Sequence, residues 1–536
     1  MKKLRNTIAC GVAALALLAT GLTSCTGDFD NINTSKDKPT PEDVDRDNAW
    51  AAFIQTMQRN VFAEGANAYQ LADNLLGDSY AGYFGQAQDW DSGSNSTCYA
   101  FPTAKWKDEP YKQAYNNVMS SWNILRQKVD SASVVFALGE VVKVQAMHRV
   151  TDIYGPLPYT AFGKMSSGLP YDSQETVYRT FIKELDHALK TLKAAYEADS
   201  GAKPIADFDV VFDSDLEKWI RFANSLKLRL AMRICYVKPD LAKQYAMEAV
   251  RDGVMETADD SALFQSWGSI TIINPLEKIW NGYSDTRMGA SMDSYLNGYN
   301  DPRLPVYFQP VTEGDNKGEY RGVANGMPNP QQDDYKAMSA PNVQEKSTDS
   351  PLRWMMASEV AFLRAEGAMR GWTAEMGGTA EEFYNKGIEL SFLENGLSAD
   401  AAARYAADET SKPTDFTDVS AANTKYNISA LGKITIKWNA GASEEEQLER
   451  IITQKWIAMF PNGTEAWSEF RRTGYPLIFP VRSNYPTSGV DTNKQIRRMV
   501  FPQSEYSNNG AAVQEAVKLL GGPDNGGTKL WWDKKN

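Results

Sequence analysis

Histidine is almost absent from this sequence of 536 residues. Only His148 and His187 occur, each within an amphipathic helical pattern and without a second histidine or a cysteine at metal-ligand spacing. We therefore expect a structural role for both. This scarcity excludes most routes to a histidine-based nucleophile triad or a zinc site, and it leaves carboxylate chemistry open.

Cysteine is also scarce, with four residues in the chain. Cys10 and Cys25 lie near the amino terminus, so only Cys98 and Cys235 remain for the main body. These two could pair in an oxidising compartment or stay buried as free thiols, and the sequence does not choose between the alternatives.

The sequence has neither an apolar run that could cross a bilayer nor a cluster of basic residues. The apolar stretch of residues 8–22 is shorter than the roughly 20 residues that a spanning helix needs. The chain has 56 Lys and Arg and 68 Asp and Glu; without Lys2, Lys3 and Arg5, 53 basic side chains remain and the net charge is −15. Because such a surface repels phosphate backbones, nucleic acid is not an expected partner.

The amino-terminal segment has the order of a bacterial export signal. Basic residues precede the apolar stretch, and Leu22, Thr23, Ser24 and Cys25 then follow in a form that resembles a lipobox. In a lipobox the cysteine thiol is acylated and becomes the first residue of the mature chain. We therefore expect a lipoprotein signal peptide over residues 1–24, with the lipid on Cys25 as the only attachment to a membrane.

The rest of the chain divides into a tether and one large domain. Residues 25–44 are polar and predict a flexible, lipidated tether. From 45 to 536 the dominant period is helical, as in residues 177–192, where apolar side chains recur at spacings of three and four. Small residues at the inward positions of 356–372 favour close helix pairs of the tetratricopeptide kind, without the full repeat pattern.

The expected fold class is mainly α, in which tetratricopeptide-like helix pairs form a scaffold for a large irregular, loop-rich region with minor β structure. One strand is predicted over 433–438, KITIKW, because its apolar residues alternate. Four aspartates cluster in DFDVVFDSD, at 207, 209, 213 and 215. This cluster lacks the glycine and the terminal glutamate of a calcium loop, so we expect a solvated helix entry there.

Long irregular stretches lie between the helices, at 82–110, 150–172, 262–350 and 473–500. Loops of this length in a compact protein usually have a function. Sugars stack their apolar C–H faces on aromatic rings, while Asn, Asp, Gln and Arg bind the hydroxyls. In the first and third stretches the polar residues expected to form such a rim are Gln86, Gln88, Asp89, Asn95, Asn281, Asp285 and Arg287. The candidate ligand-binding residues are therefore the aromatic side chains beside them: Tyr83, Trp90, Trp267, Trp280 and Tyr283. Ordinary loop packing is the alternative for each.

Several stretches together indicate a family. They are TDIYGPLPYT (151–160), PYDSQETVY (170–178), KWIRFANSLKLRLAMRI (218–234), DPRLP (301–305), MASEVAFLRAEGAMRGW (356–372), TQKWIAMFPNGTEAWSEFRRTGYP (453–476) and KLWWDK (529–534). By these stretches the chain resembles the SusD/RagB nutrient-binding outer-membrane lipoproteins of the Bacteroidetes, in the SusD-like 2 branch. The resemblance runs from the lipobox to the carboxyl terminus.

The resemblance implies a lipid-anchored protein of the outer membrane, exposed at the cell surface. Such a protein captures a glycan, a peptide or another large nutrient and delivers it to a SusC-like TonB-dependent transporter. It implies no catalysis, and we expect no cofactor and no metal. Two alternatives stay open: a lipid-anchored glycoside hydrolase, which needs two carboxylates roughly 5 to 10 Å apart, and an adhesin or other interaction protein.

Overall fold

A computed structural model of the chain describes residues 50–88, 96–100, 104–165, 168–344 and 349–535, without the side chains of 104–106. The predicted signal peptide, the lipid site Cys25, the tether and Trp90 lie outside these residues. The chain divides into a unit of Met1–Ala52, of which residues 50–52 are described, and a compact unit of Phe53–Asn536. The paragraphs below concern the second unit.

The described residues are mainly α-helical. The α-helices are α1 Ala51–Gln58, α2 Ala66–Tyr69, α3 Ala104–Gln113, α4 Ser120–Lys128, α5 Val134–Tyr154, α6 Gln174–Ala198, α7 Leu216–Arg233, α8 Pro239–Arg251, α9 Pro275–Glu277, α10 Ala290–Gly298, α11 Leu304–Tyr307, α12 Gln332–Tyr335, α13 Ala357–Gly367, α14 Thr373–Met376, α15 Ala380–Leu393, α16 Ala399–Ala406, α17 Glu444–Ala458, α18 Gly463–Thr473 and α19 Gln503–Leu520. Wider π-helical turns cover Gln70–Asp78, Ala114–Met119, Lys278–Gly282 and Ala368–Trp372, and 3-10 turns cover Ser96–Cys98, Ala258–Asp260 and Ala421–Tyr426.

Helices α5 to α8 form a run of antiparallel neighbours. In each neighbouring pair, residue numbers rise along one helix as they fall along the other. The contacts that show this are Glu140–His187, Lys143–Glu184 and Asp152–Tyr178 for α5 and α6, Lys227–Asp186 and Tyr196–Glu217 for α6 and α7, and Asn224–Asp252 and Lys227–Glu248 for α7 and α8. The apolar stripe that the sequence predicts on α6 is buried in this stack. The mainly α fold with tetratricopeptide-like pairs is thereby confirmed.

Small residues permit the close approach of a second pair, α13 and α15. The Ser358 hydroxyl at the start of α13 donates to Glu394 just after α15 at 2.5 Å, so these helices are also antiparallel. A Cβ added at Gly387 would lie 2.7 Å from the Phe362 ring, and one at Gly367 would lie 2.7 Å from the sulfur of Met376. Larger side chains at either position would force the neighbouring elements apart.

Helix starts are fixed by side-chain caps. Ser173 caps α6 by accepting a hydrogen bond from the Thr176 amide at 3.2 Å, and Asp215 caps α7 through the Lys218 amide at 3.1 Å. The predicted solvated entry to α7 is correct for Asp215 and wrong for Asp209. Asp209 is fully buried, where it accepts hydrogen bonds from the Trp219 indole at 2.7 Å and from backbone amides.

Strand structure is limited to two small antiparallel sheets in the described residues. Strand β1 (Phe84–Gln86) pairs with β3 (Thr286–Met288), and β2 (Ala262–Phe264) pairs with β4 (Leu352–Met355). The strand predicted over 433–438 is wrong, although its apolar side chains do alternate into the core. The Ile434 carbonyl accepts a hydrogen bond from the Tyr299 hydroxyl, and the Ile436 carbonyl accepts one from the Tyr384 hydroxyl. These tyrosines take the place of a neighbouring strand.

The core contains aromatic rings together with paired charges. Trp219, Trp372 and Trp456 are buried, as their helical spacing predicts. Fully buried ion pairs join α7, α13, α17 and α18, with N–O distances of 2.6 to 3.0 Å: Arg229–Glu359, Arg233–Glu469, Arg472–Glu366 and Lys455–Glu469. Burying such charges is costly unless they are paired and hydrogen-bonded, as these are. They tie the helix pairs to one another.

The scarce residue types have structural surroundings. Cys98 and Cys235 are both buried and form no disulfide with each other, which answers the question that the sequence leaves open. His148 is buried on α5, and His187 contacts Glu140 with its Nδ1 at 2.5 Å. Across the residues described, no helix has the length and apolar character to cross a membrane.

Candidate ligand-binding site

The sheet of β1 and β3 brings together the two aromatic segments that the sequence singles out. Gly85 lies opposite Arg287 in this antiparallel ladder, and Gln86 lies opposite Thr286. The chain enters the segment of residues 89–95 directly after β1, and it leaves the turn that contains Trp280 directly before β3. We define the β1–β3 surface as residues 86–88, 278–287 and 332–336.

Trp280 and Tyr283 are the accessible aromatic side chains of this surface in the described residues, whereas its third aromatic residue, Tyr335, is fully buried. Both are partly exposed, and both belong to the π-helical turn of Lys278–Gly282 or its C-cap. The Trp280 indole nitrogen donates to the Val343 carbonyl at 3.3 Å, which fixes the orientation of the ring. The Lys278 ammonium lies 5.8 Å from the Tyr283 ring centre. A partly exposed ring held by its polar edge can offer its face to a ligand.

Arg287 is a buried residue that forms hydrogen bonds with the backbone of this turn. Its guanidinium donates to the Trp280 carbonyl at 3.2 Å, to the Thr286 carbonyl at 2.8 Å and to the Lys336 carbonyl at 2.5 and 3.0 Å. Burial lowers the pKa of Arg287 to about 10, against the raising effect of Asp285. Arg287 therefore connects the Trp280 turn with the segment after α12, and its charge faces carbonyl groups.

Asp285 is the polar centre of the surface. This buried carboxylate accepts a hydrogen bond from the Gln70 amide at 2.5 Å and another from the Gln88 amide. The side-chain oxygen of Gln88 in turn accepts a hydrogen bond from the Gln332 side-chain amide at 2.9 Å. The chain formed by Asp285, Gln88 and Gln332 runs from the core to the exposed side chain of Gln332. It presents amide donors and acceptors of the kind that bind sugar hydroxyls.

Tyr83 lies in the core, and its ring has no exposed surface for a ligand. Its residue is fully buried, its hydroxyl donates to the Trp456 carbonyl at 2.5 Å, and its ring packs against Trp456 and Phe460. The prediction that Tyr83 binds a ligand is therefore wrong. The ordinary packing alternative holds here because α17 and the segment after it supply partners that the local sequence does not reveal.

The remaining two candidates are placed differently. Trp267 is partly exposed in a separate turn after β2, where its backbone pairs with Ile270. Its indole nitrogen is buried and has no hydrogen-bond partner among the residues that the structure describes. Trp90 lies outside the described residues, two positions beyond Gln88. The structure thus joins Trp280, Tyr283 and Gln88 in one surface, and it leaves Trp267 in another hairpin.

A cavity of about 270 Å³ opens beside Val343, the residue that binds the Trp280 indole. Asn274, Gln344, Asp349 and Arg353 contribute polar groups to its walls. Ligand pockets in proteins typically measure about 300 to 1,000 Å³, so this cavity is slightly smaller than a typical ligand pocket.

Sequence reasoning named the polar neighbours Gln88, Asp285 and Arg287, but it expected them to form a rim. Asp285 and Arg287 are buried supports instead. It missed Gln70, Gln332, Lys336 and Val343, which reach the surface from other parts of the chain. Nothing in their local sequence marks them, because a lone glutamine or a loop carbonyl has no pattern that predicts a binding role.

Known proteins resemble this chain over most of its length. Residues 31–533 match the family model described as SusD-like, "Susd and RagB outer membrane lipoprotein". A chitin-binding SusD homolog from Flavobacterium johnsoniae is 39% identical, with a TM-score of 0.86, and the match covers 91% of this chain and 99% of that one. Two SusD-type proteins from Bacteroides thetaiotaomicron are 37% and 36% identical, with TM-scores of 0.83 and 0.85 and the same coverage. No match was found among the curated proteins.

Proposed function

From the premise that this chain belongs to the SusD/RagB family of outer membrane lipoproteins, we propose that it captures an oligosaccharide on the β1–β3 surface. The family makes it a nutrient-binding lipoprotein. The residues that bind the nutrient, and the chemistry of that nutrient, form the proposal.

One observation carries the choice of surface: β1 and β3 join two loop segments that are about 200 residues apart in the sequence, and the second of them contains the partly exposed rings of Trp280 and Tyr283. The ladder places Gln86 opposite Thr286, and the partly exposed ring of Trp280 precedes it. Arg287 fixes the turn, while Gln88 and Gln332 offer amide groups beside it. An aromatic platform with a polar rim matches the apolar faces and the hydroxyl edges of a sugar chain.

The similarity to a chitin-binding SusD homolog supports a glycan as the ligand. We propose a neutral oligosaccharide, with chitin fragments as the first probe, because the supporting charges Asp285 and Arg287 are buried and already hydrogen-bonded.

Calorimetric titration of the full mature chain in detergent with chitotetraose tests this proposal. We expect micromolar or weaker binding, reduced about tenfold by Trp280→Ala, which corresponds to about 1.4 kcal/mol. Trp531→Ala is the matched control, since Trp531 is also partly exposed but packs near Tyr178. Equal loss in both variants would argue against a site at Trp280, and a screen of other glycans would follow if chitotetraose does not bind at all.

We propose further that the protein binds without catalysis and needs no cofactor. The glycoside hydrolase alternative predicts reducing sugar released from the bound oligosaccharide. Incubation of the chain with chitotetraose, followed by an assay for reducing ends, separates the two functions. We expect no release above that of the buffer.

The proposed partner is a SusC-like TonB-dependent transporter, and the proposed location is the outer face of the outer membrane, with Cys25 as the lipidated residue. A tagged chain isolated from native membranes should copurify with a barrel of this class, identified by mass spectrometry. Protease added to whole cells should cleave the chain. Isolation without a barrel would favour the adhesin alternative.

A further inference from the structure

A second cleft, remote in sequence from the β1–β3 surface, has a cationic lining. It has a volume of about 600 Å³ and lies between the end of α18, residues 477–480, residues 493–497 and the segment 529–535. Five of its lining residues carry positive charge: Arg471, Lys494, Arg497, Lys529 and Lys535. No acidic side chain belongs to the lining within the described ranges, although the chain as a whole is strongly acidic.

Arg471 is a buried cation without a directly bound anion. Its guanidinium donates to the carbonyls of Trp467, Asp152 and Arg497 at 2.6 to 3.2 Å and to the Ser468 hydroxyl at 2.8 Å. All four acceptors are neutral, and no carboxylate of the described chain lies within ion-pair distance of this guanidinium. Burial lowers the pKa of Arg471 to about 9; Asp152 and Asp533 oppose this effect, and the neighbouring Arg497 and Arg233 add to it.

The other cations are only partly neutralised. Asp533 accepts from the Arg497 Nε at 2.8 Å, and its other oxygen lies 3.7 Å from the Lys529 Nζ. Glu445 pairs with Lys535, whose ammonium also donates to the Thr473 carbonyl at 2.7 Å. These two carboxylates thus contact three of the five cations.

Lys494 completes this set of cations. It is exposed at the rim of the cleft, and its ammonium forms no hydrogen bond or ion pair with the described residues. The cleft therefore keeps an excess of positive charge that an anion could neutralise.

The same cleft has an apolar wall. Leu431, Phe470, Leu477, Ile478 and Pro480 line it, and Leu431 is 42% exposed. A volume of 600 Å³ lies within the range of small-molecule sites and far exceeds what a bare inorganic anion needs. Cations beside an apolar wall fit a ligand that carries an anionic group on a body with an apolar face.

We propose that this cleft is a second ligand site, which binds a carboxylate- or sulfate-bearing sugar. The anionic group faces Lys494 and Lys529, with Arg471 behind them, and the ring packs on the apolar wall. This site rests on the proposed function only for the choice of a sugar as the carrier of the anion. Its residues are separate from those of the β1–β3 surface, so the two sites can fail independently.

Titration of the full mature chain in detergent with digalacturonate tests the second site. The dimethyl ester of the same disaccharide keeps the rings and removes the charge. We expect digalacturonate to bind at least tenfold more tightly than the ester, and to weaken at least tenfold in the double variant Lys494→Gln/Lys529→Gln. Its affinity should also fall with added salt, because exposed charges are screened. Trp280→Ala should leave it unchanged.

Lys518→Gln is the control for lost charge, because Lys518 is an exposed lysine on α19 that pairs with Glu515. Thermal unfolding of every variant checks that the fold is retained, and both target lysines are at the surface. Equal binding of acid and ester, or undiminished binding in the double variant, would overturn the proposal. Inorganic sulfate that binds as tightly as digalacturonate would overturn the role of the sugar ring.

Discussion

Asp301 and Arg303 form a two-point ion pair in which both side chains are fully buried. The Arg303 Nε lies 2.9 Å from one carboxylate oxygen and its Nη2 lies 2.7 Å from the other. The same guanidinium donates to Gln454 on α17, while the Tyr405 hydroxyl on α16 donates to Asp301. The DPRLP stretch therefore connects a loop to two helices through one pair of opposite charges.

Removal of one partner of this pair should be costly, because it leaves the other charge buried and unpaired. For Asp301→Ala we expect the free energy of unfolding to fall by about 3 to 5 kcal/mol, measured by urea denaturation. Asp333→Ala is the control, since Asp333 is exposed and forms a surface pair with Lys336. We expect no measurable change for the control. Similar stability of Asp301→Ala and the native chain would show that the pair is dispensable.

Sequence patterns predict the helices better than they predict the site. The stripe on α6 was readable because a buried helix face repeats every three to four residues. The pairing of β1 with β3 could not be predicted from the sequence, because Phe84 and Met288 are about 200 residues apart and neither segment contains a signal for its partner. Tyr83 and Trp280 have similar local surroundings in the sequence. Tyr83 is buried because Trp456 and Phe460 pack against it from a distant part of the chain, whereas Trp280 lies in a turn and stays partly exposed.

The role of Arg287 can be separated from that of Trp280 by a double-mutant cycle. Because Arg287 binds the Trp280 carbonyl, we expect Arg287→Ala to weaken glycan binding by loosening the turn. The double variant Arg287→Ala/Trp280→Ala should bind no more weakly than Trp280→Ala alone, as measured by calorimetry with the same oligosaccharide. Additive losses would mean that Arg287 contacts the ligand itself.

Lipidation can be tested at Cys25 without disturbing the folded body. Cys25→Ala removes the thiol that would form the thioether, so we expect no incorporation of labelled palmitate and no processing by the lipoprotein signal peptidase. Each buried methylene contributes about 0.8 kcal/mol to membrane binding, so the loss of acyl chains removes a large stabilisation. Cys98→Ala, at a buried thiol of the folded body, is the control and should keep the label. Labelled Cys25→Ala protein would place the anchor elsewhere.

His148 should make stability depend on pH above the range in which carboxylates titrate. Its Nδ1 lies 3.2 Å from the Val144 carbonyl and its Nε2 lies 3.5 Å from the Arg229 guanidinium. Burial, with Arg229 next in effect, lowers the pKa of His148 from 6.5 to about 3. The folded chain therefore binds fewer protons at this ring than the unfolded chain. The stabilisation is fully present above pH 6.5 and is lost as the pH falls toward 3, with a slope of at most about 1.4 kcal/mol per pH unit.

His148→Gln does not titrate, so the difference in unfolding free energy between native chain and variant should shrink by about 1 to 2 kcal/mol between pH 7 and 5. Urea denaturation at each pH measures it, and the interval from pH 8 to 7.5, where neither state of His148 gains a proton, is the internal control. A difference that stays constant down to pH 5 would mean that His148 is protonated in the folded chain.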